Sequence, residues 1–245
     1  MSLRYDTVVT QQSSQSRIIS MICDDGPIFD VGCATGNLAV ELRSQGKRNK
    51  MYGLEIDAEA RSVALRKNIY EDIYQLDLDQ PLDLDPKLTG CFKYIILADV
   101  LEHLKNAGAV LKNLMPYLRK DGCFLISLPN VMNFEVQAAM ASATAKYTET
   151  GLLDYTHLHF YDPSEIIQLS SGVSCAVRNL SFTYLNMEHI DELSDPRRMP
   201  PEVANYIFEN NPYAWEFQYI FELHPSAMAK DLLEAANRKI FERIR

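Results

Sequence analysis

The chain has 245 residues, 47% of them hydrophobic, and a formal net charge of −9 with a pI near 5.1. This length and apolar content can fill one large core. The acidic balance, with no dense lysine or arginine run, argues against a nucleic-acid partner, whose phosphates need a basic surface. No stretch approaches the roughly 20 apolar residues of a membrane span, and the polar N-terminal stretch predicts no signal peptide.

Cysteine usage favours a reducing compartment. The five cysteines are scattered and are never spaced as C-x-x-C. This pattern predicts free thiols in a cytoplasmic protein, with neither a disulfide framework nor a metal site.

Strand and helix patterns alternate over about residues 26–130. The predicted strands cover about residues 28–31, 51–57, 73–76, 92–98 and 123–128. The predicted helices cover about residues 16–23, 37–46, 58–69 and 110–118. Such alternation predicts a parallel sheet with helices on both faces.

Beyond residue 130 the pattern is less regular. The predicted elements are helices over 133–150, 163–169 and 201–210, and an antiparallel pair of strands over 174–184 and 214–223. Asp162 is a typical N-cap for the second of these helices. The stretch 151–161 is rich in aromatic residues and histidine.

The tail, residues 226–245, predicts an amphipathic helix. Its apolar residues are Leu232, Leu233, Ala236 and Ile240. We expect this face to pack on the rest of the chain, and a contact with a second copy in a homo-oligomer stays open as the alternative.

A glycine-bearing turn follows the first predicted strand. Gly32 and Gly36 allow a ligand to approach the start of the next helix, whose free N–H groups and positive dipole end favour a nucleotide-like or carboxylate-bearing molecule. Glu55 follows about 20 residues later, where a nicotinamide-binding fold also places its ribose-binding acid. The loop lacks the full G-x-G-x-x-G pattern, which disfavours a dinucleotide.

These motifs resemble, in the same order, those of the class I S-adenosylmethionine-dependent methyltransferases. Residues 30–36 are similar to the family's first motif, D/E-x-G-x-G-x-G, with Ala34 where the middle glycine is commonest. Residues 98–104 resemble the fourth motif. Residues 118–130 resemble the turn and fifth strand, with Asp121 where a glycine is frequent.

The resemblance implies a cofactor site. In the family, the acid at the position of Glu55 holds both ribose hydroxyls, the segment at Asp77 contacts adenine, and the fourth motif lies beside the methionine part and the transferred methyl. The implied cofactor-binding residues are Asp30, Gly32, Cys33, Gly36, Asn37, Glu55, Ile56, Asp77, Leu78, Ala98 and Asp99.

The resemblance also implies the fold. We expect an α/β, Rossmann-like, doubly wound sheet of seven strands, mostly parallel with a C-terminal antiparallel hairpin, plus a helical cap. A single methyltransferase domain would span residues 1–245. Its core would cover about 26–130 and 163–225, its cap insertions about 131–162 and 185–213, and its C-terminal helix 226–245.

Two histidines are candidate catalytic residues. His103 lies in the fourth motif, and His157 lies in the stretch 151–161, which resembles a segment over the active site of many bacterial small-molecule methyltransferases. That segment usually has an arginine where this chain has His159. Histidine can act as a general base near neutral pH. A structural role for either histidine stays open.

The expected function is methyl transfer from S-adenosylmethionine, leaving S-adenosylhomocysteine, to a small-molecule acceptor at oxygen. Two alternatives stay open. One is a nicotinamide-dependent oxidoreductase, and the other is a non-catalytic protein that binds S-adenosylmethionine in a regulatory or scaffold role.

Overall fold

The computed structural model describes residues 13–184 and 199–242, and its strands form a seven-stranded sheet. The strands are β1 (Ile28–Val31), β2 (Met51–Leu54), β3 (Tyr70–Tyr74), β4 (Phe92–Ala98), β5 (Leu118–Pro129), β6 (Cys175–Tyr184) and β7 (Glu216–Pro225). The helices are α1 (Ser14–Met21), α2 (Asn37–Ser44), α3 (Ala58–Arg66), α4 (Ala107–Leu114), α5 (Phe134–Ala141), α6 (Pro163–Gly172), α7 (Pro201–Asn210) and α8 (Lys230–Glu242).

The strand order is β3-β2-β1-β4-β5-β7-β6. Strand β7 is antiparallel to both of its neighbours, and the other neighbouring strands pair in parallel. This confirms the predicted α/β, Rossmann-like, mostly parallel sheet with an antiparallel C-terminal pair.

Alternate residues of each central strand face opposite layers of helices. On one face, Ile28 packs with buried residues of α1 and α2. On the other face, Phe29 belongs to a larger core that includes buried residues of α4, α6 and α8. The sheet is therefore covered on both sides, as the alternation of strands and helices predicts.

The third strand lies earlier than predicted. It covers Tyr70–Tyr74, not residues 73–76, because its pairing with β2 starts at Tyr70 opposite Met51. This is an edge strand in which only Ile73 is fully buried. Its hydrogen bonds, more than an apolar pattern, define its limits.

Two helices end earlier than predicted, and the first of them, α4, also starts earlier, at Ala107. Helix α4 ends at Leu114 because Pro116 lies in the next turn, and Leu118 starts β5 instead of continuing the helix. Helix α5 covers only Phe134–Ala141 of the predicted 133–150, and Ala143 follows with a φ of 55°. A left-handed residue of this kind ends a helix.

The apolar face predicted for the C-terminal helix is partly wrong. Leu232 is 63% exposed, whereas the buried positions of α8 are Leu233, Asn237 and Phe241. Asn237 is buried because its side chain donates to Cys175 O and accepts from Val177 N, which ties α8 to β6. Residues 243–245 of the predicted helix lie outside the described residues.

Helices α5 and α7 belong to the predicted cap. They pack through stacked rings, with Phe134 on Phe208 at 4.7 Å and Phe208 on Trp215 at 4.5 Å between ring centroids. Residues 185–198 of the predicted cap lie outside the described residues. Among the described helices, none combines the length and apolar character that a membrane crossing requires.

Candidate functional site

A cavity of about 650 Å³ opens beyond the carboxyl ends of β1, β2 and β4. The chain reverses its direction of strand addition between β1 and β4, and ligands of open α/β sheets bind at such a point. The predicted site residues that line this cavity are Gly32, Glu55, Ile56, Asp77, Leu78, Ala98, Asp99 and His103.

The glycine turn forms one wall. Gly32 has a φ of +73°, and a Cβ at this position would lie 2.7 Å from Val100 Cγ2. Ala34, which replaces the family's middle glycine, also has a positive φ of 47°. Its N–H donates to Glu55 Oε2 at 2.8 Å, and this contact helps to hold the alanine in the left-handed conformation.

Glu55 connects the two sides of the turn. Besides Ala34, it accepts from Asp57 N through Oε1 at 2.8 Å, and the residue is only 8% exposed. A carboxylate offers about four lone-pair directions, so both oxygens keep room for ligand hydroxyls. Glu55 can therefore order the loop and bind a ribose at the same time.

Four predicted cofactor residues do not line the cavity. Cys33 packs with Ala64 and Ile73 behind the loop. Two of the others lie against Tyr70: Asp30 accepts a 2.6 Å hydrogen bond from its hydroxyl, and a Cβ on Gly36 would lie 3.0 Å from its ring. The fourth, Asn37, accepts a 2.6 Å hydrogen bond from Lys67. In this geometry they hold the turn in place.

Asp30 has an unusual ionisation. Burial raises its pKa to about 6, the Tyr70 hydrogen bond opposes this, and the charge of Glu55 adds to it. Between about pH 4 and pH 6 the Asp30 carboxyl is protonated in the folded chain but ionised in the unfolded chain. The contribution of Asp30 to the free energy of unfolding therefore falls as pH rises from 4 to 6, and it stays low at higher pH.

We therefore expect the free energy of unfolding of Asp30→Asn, relative to that of the parent, to increase by up to about 3 kcal/mol as pH rises from about 4 to 7. Urea unfolding at both pH values measures this difference. Asp25→Asn, at an exposed position, is the control. A variant-to-parent difference that does not change with pH would contradict the assignment.

Asp99 is held in a strained conformation at the end of β4. Its φ is 56°, and its carboxylate accepts from Ser14 at 3.0 Å, Ser127 at 2.9 Å and Gln218 at 2.7 Å. Burial raises the pKa of Asp99, and these three hydrogen bonds oppose the rise. The residues that fix Asp99 thus come from α1, β5 and β7.

Gln15 of α1 is a cavity residue that the sequence did not indicate. Its Oε1 is buried and has no hydrogen-bond partner among the described residues. An acceptor of this kind suits a donor group on a bound ligand, because an unpaired buried oxygen is otherwise costly. Together with the acids Glu55, Asp77, Asp79 and Asp99 on its walls, the cavity fits a cofactor with hydroxyl groups and positive charge.

A second group of side chains adjoins this cavity. One ligand atom from each of Glu102, His103 and His157 lies within 4.8 Å of the others. The two imidazole rings contact edge to face at 4.9 Å between centroids. Glu102 is 1% exposed, and its Oε2 has no hydrogen-bond partner among the described residues. The sequence spacing indicated no metal site, but these three atoms have the donor types and spacing to hold a divalent cation.

Hydrogen bonds fix the tautomers of both histidines. His103 Nδ1 lies 3.3 Å from the carbonyl oxygen of Thr156, and His157 Nδ1 lies 3.2 Å from that of Leu152. A carbonyl only accepts, so each Nδ1 carries a proton and each neutral ring has its lone pair on Nε2.

Asp154 completes a chain that orients His103. Thr156 Oγ1 donates to Asp154 Oδ1 at 2.6 Å and lies 3.0 Å from His103 Nδ1. Asp154 is 2% exposed. An acid that orients a histidine through a second group is a common feature of general-base sites. Sequence reasoning missed this role, because Asp154 lies 51 positions after His103.

The surroundings of His103 keep its imidazole in the neutral form. Burial lowers the pKa of His103, and the neighbouring His157 lowers it further. Burial raises the pKa of Glu102 well above its usual range, and Asp99 adds to the rise. His103 is therefore neutral at pH 7 and can accept a proton.

Comparison with known proteins identifies the family. The sequence matches the family described as "Methyltransferase domain" over residues 17–177. The chain belongs to this methyltransferase family. This confirms the resemblance to S-adenosylmethionine-dependent methyltransferases, and it decides against the nicotinamide-dependent alternative.

One curated relative is "Ubiquinone biosynthesis O-methyltransferase" of Rickettsia typhi, which is 26% identical over 163 residues. The match covers 65% of this chain and 64% of the relative, so the chain spans somewhat less than two thirds of that relative's length.

Solved structures support the fold. An O-methyltransferase from a trans-AT PKS multienzyme of Brevibacillus brevis, bound to S-adenosyl-L-homocysteine, has a TM-score of 0.62 at 13% identity and covers 95% of this chain and 78% of its own. Magnesium protoporphyrin IX methyltransferase from Synechocystis, with bound SAH, has a TM-score of 0.58 at 16% identity, with 88% and 83% covered.

Proposed function

We propose that this chain transfers a methyl group from S-adenosylmethionine to a hydroxyl oxygen of a small molecule and releases S-adenosylhomocysteine. The observation that carries the proposal is the juxtaposition of an acid-lined cavity at the strand ends with the group formed by buried Glu102 and the half-buried His103 and His157. Family membership and the relative's name, which specifies an O-methyltransferase, support it.

The cofactor half of the site would use the predicted residues that line the cavity. We assign Glu55 to the ribose hydroxyls and Asp77 with Leu78 to the adenine end. Asp99 and Gln15 would accept from the methionine end. When bound, S-adenosylmethionine supplies a methyl group on a positively charged sulfur.

The acceptor half would remove a proton. His103 lines the cavity, and its Nδ1–H bond to Thr156 O leaves the lone pair on Nε2, so we assign it as the base that takes the hydroxyl proton. His157 packs against it and would position it. A phenolic hydroxyl, whose pKa near 10 resembles that of tyrosine, is the most suitable acceptor for such a base.

The chain's own residues also set the alignment. Tyr155, Thr156 and Leu158 line the cavity from the predicted cap. Backbone hydrogen bonds from Leu158 and His159 to Glu102 O tie this loop to the fourth motif. Holding an acceptor oxygen in line with the methyl group is the larger part of catalysis in a displacement of this kind.

A non-catalytic S-adenosylmethionine-binding protein is less well supported. It would not require the contact between His103 and His157, or the Asp154–Thr156 chain that orients His103. The free state of all five cysteines supports a cytoplasmic location, which we also propose.

A ligand-binding and turnover pair of assays tests the proposal. We expect S-adenosylhomocysteine to raise the thermal unfolding midpoint and NAD to leave it unchanged. With S-adenosylmethionine and a panel of small phenols, S-adenosylhomocysteine should form only when an acceptor is present. The panel is run with and without EDTA. If turnover requires a cation held by Glu102, His103 and His157, EDTA should reduce it. Stabilisation by NAD alone, or tight cofactor binding with no turnover across the panel, would contradict the proposal.

A further inference from the structure

Cys123, Glu222 and His224 form a second group of side chains with metal-ligand atom types, which the methyl-transfer site does not use. One ligand atom from each, including the Cys123 sulfur, lies within 4.8 Å of the other two. The thiol is free and 4% exposed. The group therefore combines sulfur, nitrogen and oxygen donors in one place.

The sheet itself brings these residues together. In the antiparallel pairing of β5 with β7, Phe124 lies opposite Leu223 and Leu125 lies opposite Glu222. Cys123 precedes Phe124 and His224 follows Leu223, so these two residues also face each other across the strands. Side chains two apart on a strand share a face, which adds Glu222 to the same side. The arrangement is set by backbone pairing and needs no loop movement.

Hydrogen bonds orient two of the three ligands. His224 Nε2 and Glu222 Oε2 lie 2.6 Å apart, and Asn179 Nδ2 donates to Glu222 Oε1 at 2.8 Å. The Asn179 contact fixes the carboxylate while leaving Oε2 turned towards His224. The His224 side chain is 24% exposed, which opens a route from solvent to the group.

The donor set selects for zinc. Thiolate, imidazole and carboxylate are the ligands that Zn²⁺ takes, at about 2.0–2.3 Å, and the hard cations Mg²⁺ and Ca²⁺ avoid thiolate. Adjustments of roughly 1 Å per ligand would bring the three atoms to these distances.

We propose that Cys123, Glu222 and His224 bind one zinc ion, with water as the fourth ligand. Zinc replaces the thiol proton, which is released to solvent, and the Glu222–His224 hydrogen bond is exchanged for two bonds to the metal. The site is separate from the cofactor cavity, since Cys123 lies four residues before Ser127 on β5, roughly 13 Å along the strand.

Zinc at this position would join β5 to β7. These two strands also carry Ser127 and Gln218, which hold Asp99 at the cavity. Binding should therefore raise the thermal unfolding midpoint of the chain, because a ligand that binds only the folded state stabilises it.

Cobalt titration of the full chain, first freed of metal with a chelator, tests the site. Cobalt bound by a thiolate gives a sulfur-to-metal charge-transfer absorption band. We expect this band at one cobalt per chain, and we expect zinc to abolish it by displacement. Cys123→Ser should remove the band and weaken zinc binding at least tenfold.

Cys175→Ser is the matched control, since Cys175 is also a buried strand cysteine whose pKa burial raises to about 12, as it does for Cys123. It should keep the band. His224→Gln, at a partly exposed position, is the second variant should Cys123→Ser fail to fold, and it should weaken zinc binding to a similar degree. Cobalt binding without the charge-transfer band, or a band unchanged in both Cys123→Ser and His224→Gln, would overturn the proposal.

Discussion

Glu55→Gln should weaken S-adenosylhomocysteine binding about 100-fold or more. The substitution would remove the carboxylate that we propose to accept two charge-assisted hydrogen bonds from the ribose hydroxyls. Each such bond is worth about 1.5–3 kcal/mol. In the parent, Glu55 accepts hydrogen bonds from the backbone N–H groups of Ala34 and Asp57. In the variant, the amide NH₂ of the glutamine would face one of these N–H groups, and that hydrogen bond would be lost. Isothermal calorimetry with S-adenosylhomocysteine measures the change.

Glu59→Gln provides the matched control, since it makes the same change at an exposed position in the first turn of α3. Its affinity should equal that of the parent. If thermal unfolding shows that Glu55→Gln is folded, and its affinity for S-adenosylhomocysteine lies within threefold of the parent's, another residue holds the ribose.

His103→Gln should lower kcat by roughly 10²–10⁴-fold, the usual contribution of a general base, and leave the affinity for S-adenosylhomocysteine nearly unchanged. His157→Gln should have a smaller effect of the same kind, because this ring contacts His103 and does not line the cavity. Single-turnover rates and calorimetric affinities, measured on the same preparations, separate the two quantities.

The pH profile adds a second readout. The lowered pKa of His103 means that the neutral base persists below its usual value near 6.5. The acid limb of kcat/KM, which reports the pKa of the free enzyme, should therefore lie below that value in the parent and disappear in His103→Gln.

His159→Gln is the control for both histidine variants, because this ring is exposed and contacts Lys105 O at 3.3 Å. It should retain parental activity. If His103→Gln lost cofactor affinity and turnover equally, or if His159→Gln lost as much turnover, the histidine pair would be structural.

The fold could be predicted from the sequence because its signals are local. A continuous apolar run such as Phe92–Ala98 predicts a buried strand without reference to the rest of the chain. The alternation of such strands with helices predicts a parallel sheet. The prediction was wrong where local patterns do not decide the outcome. Strand β3 is defined by pairing with β2, and α5 ends before an alanine in a left-handed conformation.

The site could be predicted only in part, for the same reason. Glu55 and Asp99 follow strands whose carboxyl ends meet at one edge of the sheet, so chain order locates them. Ser14 and Gln218 bind Asp99 from 85 and 119 positions away along the chain. No spacing rule relates such residues, and Gln15 and Asp154 were missed for this reason.

The most direct test of methyl transfer to oxygen is to follow the methyl carbon itself. S-adenosylmethionine with a ¹³C-labelled methyl group is incubated with the chain and a phenolic acceptor, and the product is examined by ¹³C NMR. We expect the label in an O–CH₃ group, formed at a rate that His103→Gln reduces. Label on nitrogen or carbon, or label that stays in S-adenosylmethionine while S-adenosylhomocysteine binds tightly, would contradict the account.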